Sequence, residues 1–165
     1  MQETTTKGAQ ENSLQSADIM QKKAYAFGTL FVLANRLQAL GDAVDKKITL
    51  KQWLFISVII KSEKQSLTIN ELAKLIGTSR QNVKKMATIL EREGFVTFEK
   101  DNSDARILRV MLTEKCFEHF AKRGTLEIEF ITKLFEGMDE EIINKTIVSF
   151  NALLNNISEM ENEIK

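Results

Sequence analysis

The chain has 165 residues, 43% of them hydrophobic and 28% charged, with 23 basic against 23 acidic side chains and a formal net charge of zero. Such a length supports one compact domain, or a small domain plus an oligomerisation element, and the neutral balance gives no whole-chain argument for a nucleic-acid partner. A single cysteine excludes an internal disulfide framework and predicts a reducing compartment, the cytoplasm. There is no cationic leader with an apolar core and no run of 18 apolar residues, so neither secretion nor a membrane span is expected. Proline is absent, which suits long uninterrupted helices. The charge is unevenly placed: residues 118–165 hold five Lys/Arg against ten Asp/Glu, leaving 18 against 13 for residues 1–117. A mildly cationic two thirds precedes an acidic tail.

Residues 1–16 are polar and without periodicity, and are expected to be disordered. From Asp18 to about Leu40, Ile19, Phe27, Leu30, Phe31, Ala34 and Leu37 recur at helical spacing, which predicts an amphipathic helix closed by Gly41. Thr49 can cap a second helix, LKQWLFISVIIK, whose apolar residues cover nearly the whole circumference and predict a buried, central element. Thr68 and Glu71 have capping-box spacing at the start of a short helix that Gly77 stops. Ser79 is a second N-cap, followed by a helix to Arg92 with Val83, Met86, Ala87 and Leu90 on one face. Two helices three residues apart form a helix-turn-helix candidate.

After Gly94, the segments FVTFEK and ILRVMLT flank the turn-forming DNSDAR and predict a β-hairpin, with Val96 and Phe98 inward on one strand and Leu108, Val110 and Leu112 inward on the other. Thr113 can cap a long helix running toward Gly137. Asp139 precedes a last helix in which Ile143, Ile147, Phe150, Leu154, Ile157 and Ile164 form a stripe fit for coiled-coil-like packing. The stripe alone does not separate self-packing from packing on a second copy. The surplus of apolar face over a small core favours a homodimer. The expected architecture is mainly α with a small β-hairpin wing. It divides into a disordered segment (1–16), an N-terminal dimerisation helix and linker (17–48), a winged helix-turn-helix lobe (49–113) and C-terminal dimerisation helices (114–165).

With Val83 set inward, 100° per residue turns Gln81, Lys85, Thr88 and Arg92 outward, with Asn82 and Lys84 at their flanks and Arg80 in the first turn after Ser79. Ten residues from Arg80 to Ile89 hold three cations and no acid. Amides suit adenine edges, arginine suits guanine and lysines suit phosphates, so the face fits a DNA major groove. A lone helix with this face is as readily an ordinary solvated surface; the hairpin that follows changes the balance. Lys100 and Arg106 stand near its tip, where an arginine can enter a minor groove, and the flanking aspartates can brace that arginine. The expected partner is double-stranded DNA.

These residues carry a resemblance. Ala73, Gly77 and Val83 have the A-x3-G-x5-V spacing of helix-turn-helix proteins, SRQNVKKMATILEREGFV looks like the recognition helix of the multiple-antibiotic-resistance-regulator (MarR) family, and DNSDARILRVMLTEK resembles that family's wing, D-x-x-D-x-R-x-x-x-V-x-L-T. The resemblance covers about residues 49–116. It implies a homodimeric transcriptional regulator, responsive to a small-molecule effector or an oxidant, with winged-helix lobes joined by a helical dimerisation region and Arg106 as the wing-tip arginine; the expected action is repression at a pseudo-palindromic operator. Two positions depart from the family pattern: Asn102, where proline is common, and Cys116, where glycine usually follows T-x-K.

Cys116 falls in the first turn of the helix capped by Thr113, where the positive helix end can lower a thiol pKa, so thiol-based redox sensing is one alternative. A buried, inert thiol is the plainer one. One histidine and one cysteine make no zinc site, and no nucleophile elbow, phosphate loop or dinucleotide fingerprint is present. No cofactor, no metal and no catalytic residue are expected. A winged helix used for protein contacts or DNA architecture without operator specificity is the remaining alternative.

Overall fold

A computed structural model describes residues 18–62, 64, 66–101, 103–104 and 106–164. The N-terminal segment assigned to disorder and Asn102 lie outside them. In chain order the elements are α1 (Ile19–Val44), α2 (Leu50–Lys61), β1 (Ser66–Thr68), α3 (Ile69–Ile76), α4 (Arg80–Arg92), β2 (Val96–Lys100), β3 (Leu108–Leu112), α5 (Glu114–Leu134) and α6 (Glu140–Glu163). They fall into two compact units, Met1–Cys116 and Phe117–Lys165.

The helix starts follow the capping residues. Thr49 and Thr68 each form a full capping box, with Gln52 and Glu71 respectively, and Asp18, Ser79 and Asp139 each accept from a backbone amide in the first turn. One end differs from expectation. Gly41 does not stop α1, which continues three residues further to Val44. This glycine is buried, and a Cβ there would lie 3.0 Å from both Cβ and Cδ1 of Leu50. It is small because α2 starts against it. The Leu50 amide donates to Asp42 Oδ1 at 2.6 Å and fixes the corner.

In the first unit the core is built by Phe55, Ile56 and Ile59 of α2, Leu72 of α3, Val83 and Leu90 of α4, and Val110 of β3, all essentially inaccessible. Each such side chain contributes about 1.5–3 kcal/mol by leaving water. α2 is central as expected but not buried all round: Leu54 and Ile60 are 39% and 46% exposed. The hairpin forms as expected, with Phe98 opposite Val110 and Val96 opposite Leu112. A third strand joins it. Ser66–Thr68 pairs antiparallel with the other side of β3, giving the order β1-β3-β2, and Thr68 is both the last strand residue and the cap of α3. Val110 is buried and Leu112 half-buried, whereas Leu108, expected inward, is 45% exposed at the hairpin's loop end. The first turn of α5 is fastened to the same unit: the Thr113 hydroxyl donates to Gly94 O at 2.7 Å and Lys115 Nζ to Glu93 O at 2.6 Å.

In the second unit, Gly137 takes φ 82° in the turn before α6. No residue of α6 is buried, and its stripe of Ile147, Phe150, Leu154 and Ile157 stands exposed.

Candidate nucleic-acid interface

Gly77 ends α3 in the left-handed conformation at φ 72°, with its amide and that of Thr78 both donating to Ala73 O. Two residues later the Ser79 hydroxyl accepts from the Asn82 amide at 3.2 Å and starts α4. Buried Val83, Ala87 and Leu90 then fix the rotation of this helix about its axis. The opposite face carries Gln81, Lys85 and Thr88, with Asn82 and Lys84 at its flanks and Ser79 and Arg80 in the first turn beside it, all exposed. Gln81, Lys84, Lys85 and Thr88, with Ile89, border a shallow hollow of about 400 Å³.

These side chains differ in their freedom to bind. Arg80 Nη1 donates to Asn70 Oδ1 at 3.3 Å, Asn82 Nδ2 donates to Thr78 Oγ1 at 3.2 Å, and the Thr88 hydroxyl donates to Lys84 O at 3.0 Å. Thr88 therefore presents its methyl group and lone pairs outward. Gln81, Lys84 and Lys85 have no side-chain hydrogen bond or ion pair among the described residues. Their polar groups are free to meet a ligand.

At the wing, the Arg106 side chain is 90% exposed and its guanidinium sits on Asp104, with Nη2 to Oδ2 at 2.8 Å and Nε to Oδ1 at 3.0 Å. The Asp104 carboxyl lies below its ordinary range because Arg106 donates to it from side chain and backbone, and the arginine's own pKa is raised in return. Asp101 is held lower still, first by the hydroxyl and amide of Ser103 and then by Arg109. Both acids are thus ionised at neutral pH, and each neutralises an arginine. Among the described wing residues, Lys100 is the cation without an ion-pair partner; it is exposed at the end of β2.

Arg109, which the outward alternation of a strand leaves unremarkable, is a part of this region that pattern reading misses. It ties Asp101 to α3. Cys116 is the buried, inert thiol of the plainer alternative and not the reactive one: the side chain is fully buried, and burial pushes its pKa from 9.0 up to about 11. An inaccessible, protonated thiol is a poor oxidant target. Among the described residues, no group of three or more His, Cys, Asp or Glu could hold a metal and no helix is long and apolar enough to cross a membrane.

Helix, turn, exposed helix and three-stranded sheet with a projecting hairpin define the winged helix-turn-helix class. Residues 48–108 match the MarR family model. They are a MarR-family domain. Over 71 residues, 42% of this chain, the sequence is 32% identical to the transcriptional repressor MprA of Escherichia coli (strain K12). The matched stretch is 40% of that protein's length, so the chain spans about two fifths of the curated relative. The fold extends further. A crystal structure of a MarR/EmrR family transcriptional regulator from Acinetobacter sp. ADP1 superposes with a TM-score of 0.74 at 21% identity, covering 83% of this chain and 97% of that one. The S. aureus MepR–DNA complex gives a TM-score of 0.71 at 19% identity, covering 79% and 97% respectively.

Proposed function

We propose that this chain is a sequence-specific, double-stranded-DNA-binding transcriptional regulator, a repressor that acts as a homodimer on a pseudo-palindromic operator and is released by a small-molecule effector. The observation that carries the reading is the outward face of α4, where Gln81, Lys84 and Lys85 are exposed and free of partners on a helix surface that has no acid from Arg80 to Ile89. The likeness to a repressor of Escherichia coli and to a fold solved on DNA supports it.

In this mechanism α4 enters the major groove and its two lysines meet phosphates as point charges. Gln81 reads a base edge, with adenine the best match for its paired donor and acceptor, and the Thr88 methyl packs against the groove floor. Arg106 enters the adjacent minor groove from the wing, held in line by Asp104. Two such lobes about 34 Å apart read two half-sites one helical turn apart. The homodimer is supported by the apolar side chains left exposed on α1 and α6, Phe27, Phe31, Ile147 and Leu154 among them, which a single chain does not cover. An effector that changes the separation of the lobes weakens both half-sites together.

Footprinting on the DNA upstream of the chain's own gene tests the reading. A protected inverted repeat is the expected result; uniform weak coverage favours an architectural winged helix instead. Lys85→Ala is expected to weaken all duplexes alike and lower the salt slope by about one, whereas Gln81→Ala relaxes base preference at one position in each half-site. Light scattering at micromolar concentration reports twice the 18.8 kDa chain mass if the dimer is right. A thermal-shift screen of small phenolic and cationic compounds, followed by loss of DNA binding, identifies an effector.

A further inference from the structure

β3 is the middle strand of the sheet, and Arg109 lies on it opposite Thr68 of β1 and Glu99 of β2. Its neighbour Val110 is buried in the core, so Arg109 points to the other face, where it is only 27% exposed. Its guanidinium makes three contacts with three separate stretches of chain. Nε donates to Asp101 Oδ2 where the turn of the wing begins, Nη1 donates to Ser66 O at 3.4 Å, and Nη1 lies 3.9 Å from Glu71 Oε2.

Both acids are already committed elsewhere. Asp101 Oδ1 accepts the Ser103 amide at 2.8 Å, and the Asp101 amide donates across the hairpin to Ile107 O at 2.9 Å, so this carboxylate is rigidly part of the wing. Glu71 Oε2 accepts the Thr68 amide at 2.8 Å and Oε1 accepts Lys64 Nζ at 3.0 Å, so this carboxylate is rigidly part of the first turn of α3. From the end of α3, three residues lead to α4. A continuous set of contacts therefore runs from the wing through Arg109 to the helix pair that carries the reading face.

We infer that Arg109 is a positioning residue that straps the turn of the wing to α3, so that Arg106 and the outward face of α4 are presented to DNA in one fixed relation. Arginine suits the role because its planar fork holds separate donors at fixed angles, whereas a lysine's single nitrogen cannot reach Asp101 and Ser66 O together. The strap contacts no DNA itself. Without it the wing remains folded through its ladder with β2, but its tip is free to swing, and Arg106 loses its alignment with the minor groove.

The inference rests on the DNA-binding reading, and two measurements separate the two. The first is a double-mutant cycle on the full chain with operator duplex. Arg106→Ala is expected to weaken binding about 5- to 20-fold in the parent and less than about 2-fold in an Arg109→Gln background. The effect of Gln81→Ala should be the same in both backgrounds. An equal Arg106→Ala effect in the two backgrounds overturns the strap, and so does a Gln81→Ala effect that shrinks in step, since that pattern belongs to general loosening of the fold. The second measurement is amide exchange without DNA. In Arg109→Gln, and independently in Asp101→Asn, the amides of Asp101 and Ile107 should exchange at least about tenfold faster while those of Val83 to Leu90 do not change. Unchanged wing exchange overturns the strap. Accelerated wing exchange in a protein that binds no duplex leaves the strap standing and removes the DNA reading.

Discussion

Replacing Glu71 by glutamine removes one negative charge and leaves the rest of the α3 cap in place. The amide oxygen of a glutamine still accepts from the Thr68 amide, since glutamine is as competent as glutamate at this position of a capping box. What disappears is the charge that meets Lys64 at 3.0 Å and Arg109 at 3.9 Å. The Glu71 pKa falls from 4.5 to about 2, first through the hydrogen bond from the Thr68 amide and then through Lys64. A shift of that size corresponds to about 3 kcal/mol at most, and because the side chain is one third exposed, solvent screening reduces the expected figure to about 1–2 kcal/mol. Since the folded pKa is the lower one, the stabilisation is complete above pH 4.5 and is lost as the pH falls from there to about 2. Glu71→Gln should therefore be about 1–2 kcal/mol less stable than the parent at pH 7, with the gap narrowing below pH 4.5 and closing near pH 2. Paired urea titrations at a series of pH values and one fixed protein concentration measure it, and every other carboxylate cancels in the difference. A gap that stays constant down to pH 2, or widens, refutes the assignment of the ion pairs to this group.

Glycines within helices are expected to respond with opposite signs. Gly41→Ala drives a methyl into Leu50 at 3.0 Å and should destabilise by about 1–3 kcal/mol before the helix-propensity gain of about 1 kcal/mol is subtracted, whereas Gly124→Ala, with nothing within 4 Å, should stabilise by about 0.5–1 kcal/mol. Thermal midpoints that move the same way for both contradict this. Gly77→Ala forces a side chain into φ 72° and should cost about 1–2 kcal/mol by denaturant midpoint. Cys116 should be alkylated by iodoacetamide at pH 8 at least about 100-fold more slowly in the folded protein than in urea, and fast labelling of the folded chain would restore the thiol as a sensor candidate. Leu90→Ala, at an inaccessible site, should cost about 2–5 kcal/mol and release the α4 amides to faster exchange.

The caps were the most legible part of the chain because they act within three residues: Thr49, Thr68, Ser79 and Asp139 start helices where their side chains can reach an orphan amide, whatever the distant packing. The outward face of α4 was legible for the same reason, being fixed by helical period once Val83 is buried. Readings that depended on the neighbours of an element fared less well. Gly41 looks like a stop in sequence and is a contact point in space, because Leu50 approaches from the next helix. Ser66–Thr68 is too short to show alternation, and becomes a strand only because β3 offers an unpaired edge. Arg109 reads as an ordinary outward strand residue. Its partners come from 43 residues upstream at Ser66 and from the turn of the hairpin, and no local pattern announces them.

Thr68 has a consequence for how the chain can vary in length. One residue pairs with Arg109 in the sheet, caps α3 through its hydroxyl, and donates from its amide to Glu71 Oε2. There is no slack between strand and helix, and adding or removing one residue at this junction turns α3 by 100° and buries a different face. The stretch at Lys46 and Lys47, exposed and outside any helix, has room for such a change. Among relatives of this lobe, insertions should therefore collect between the first two helices and stop short of residue 68.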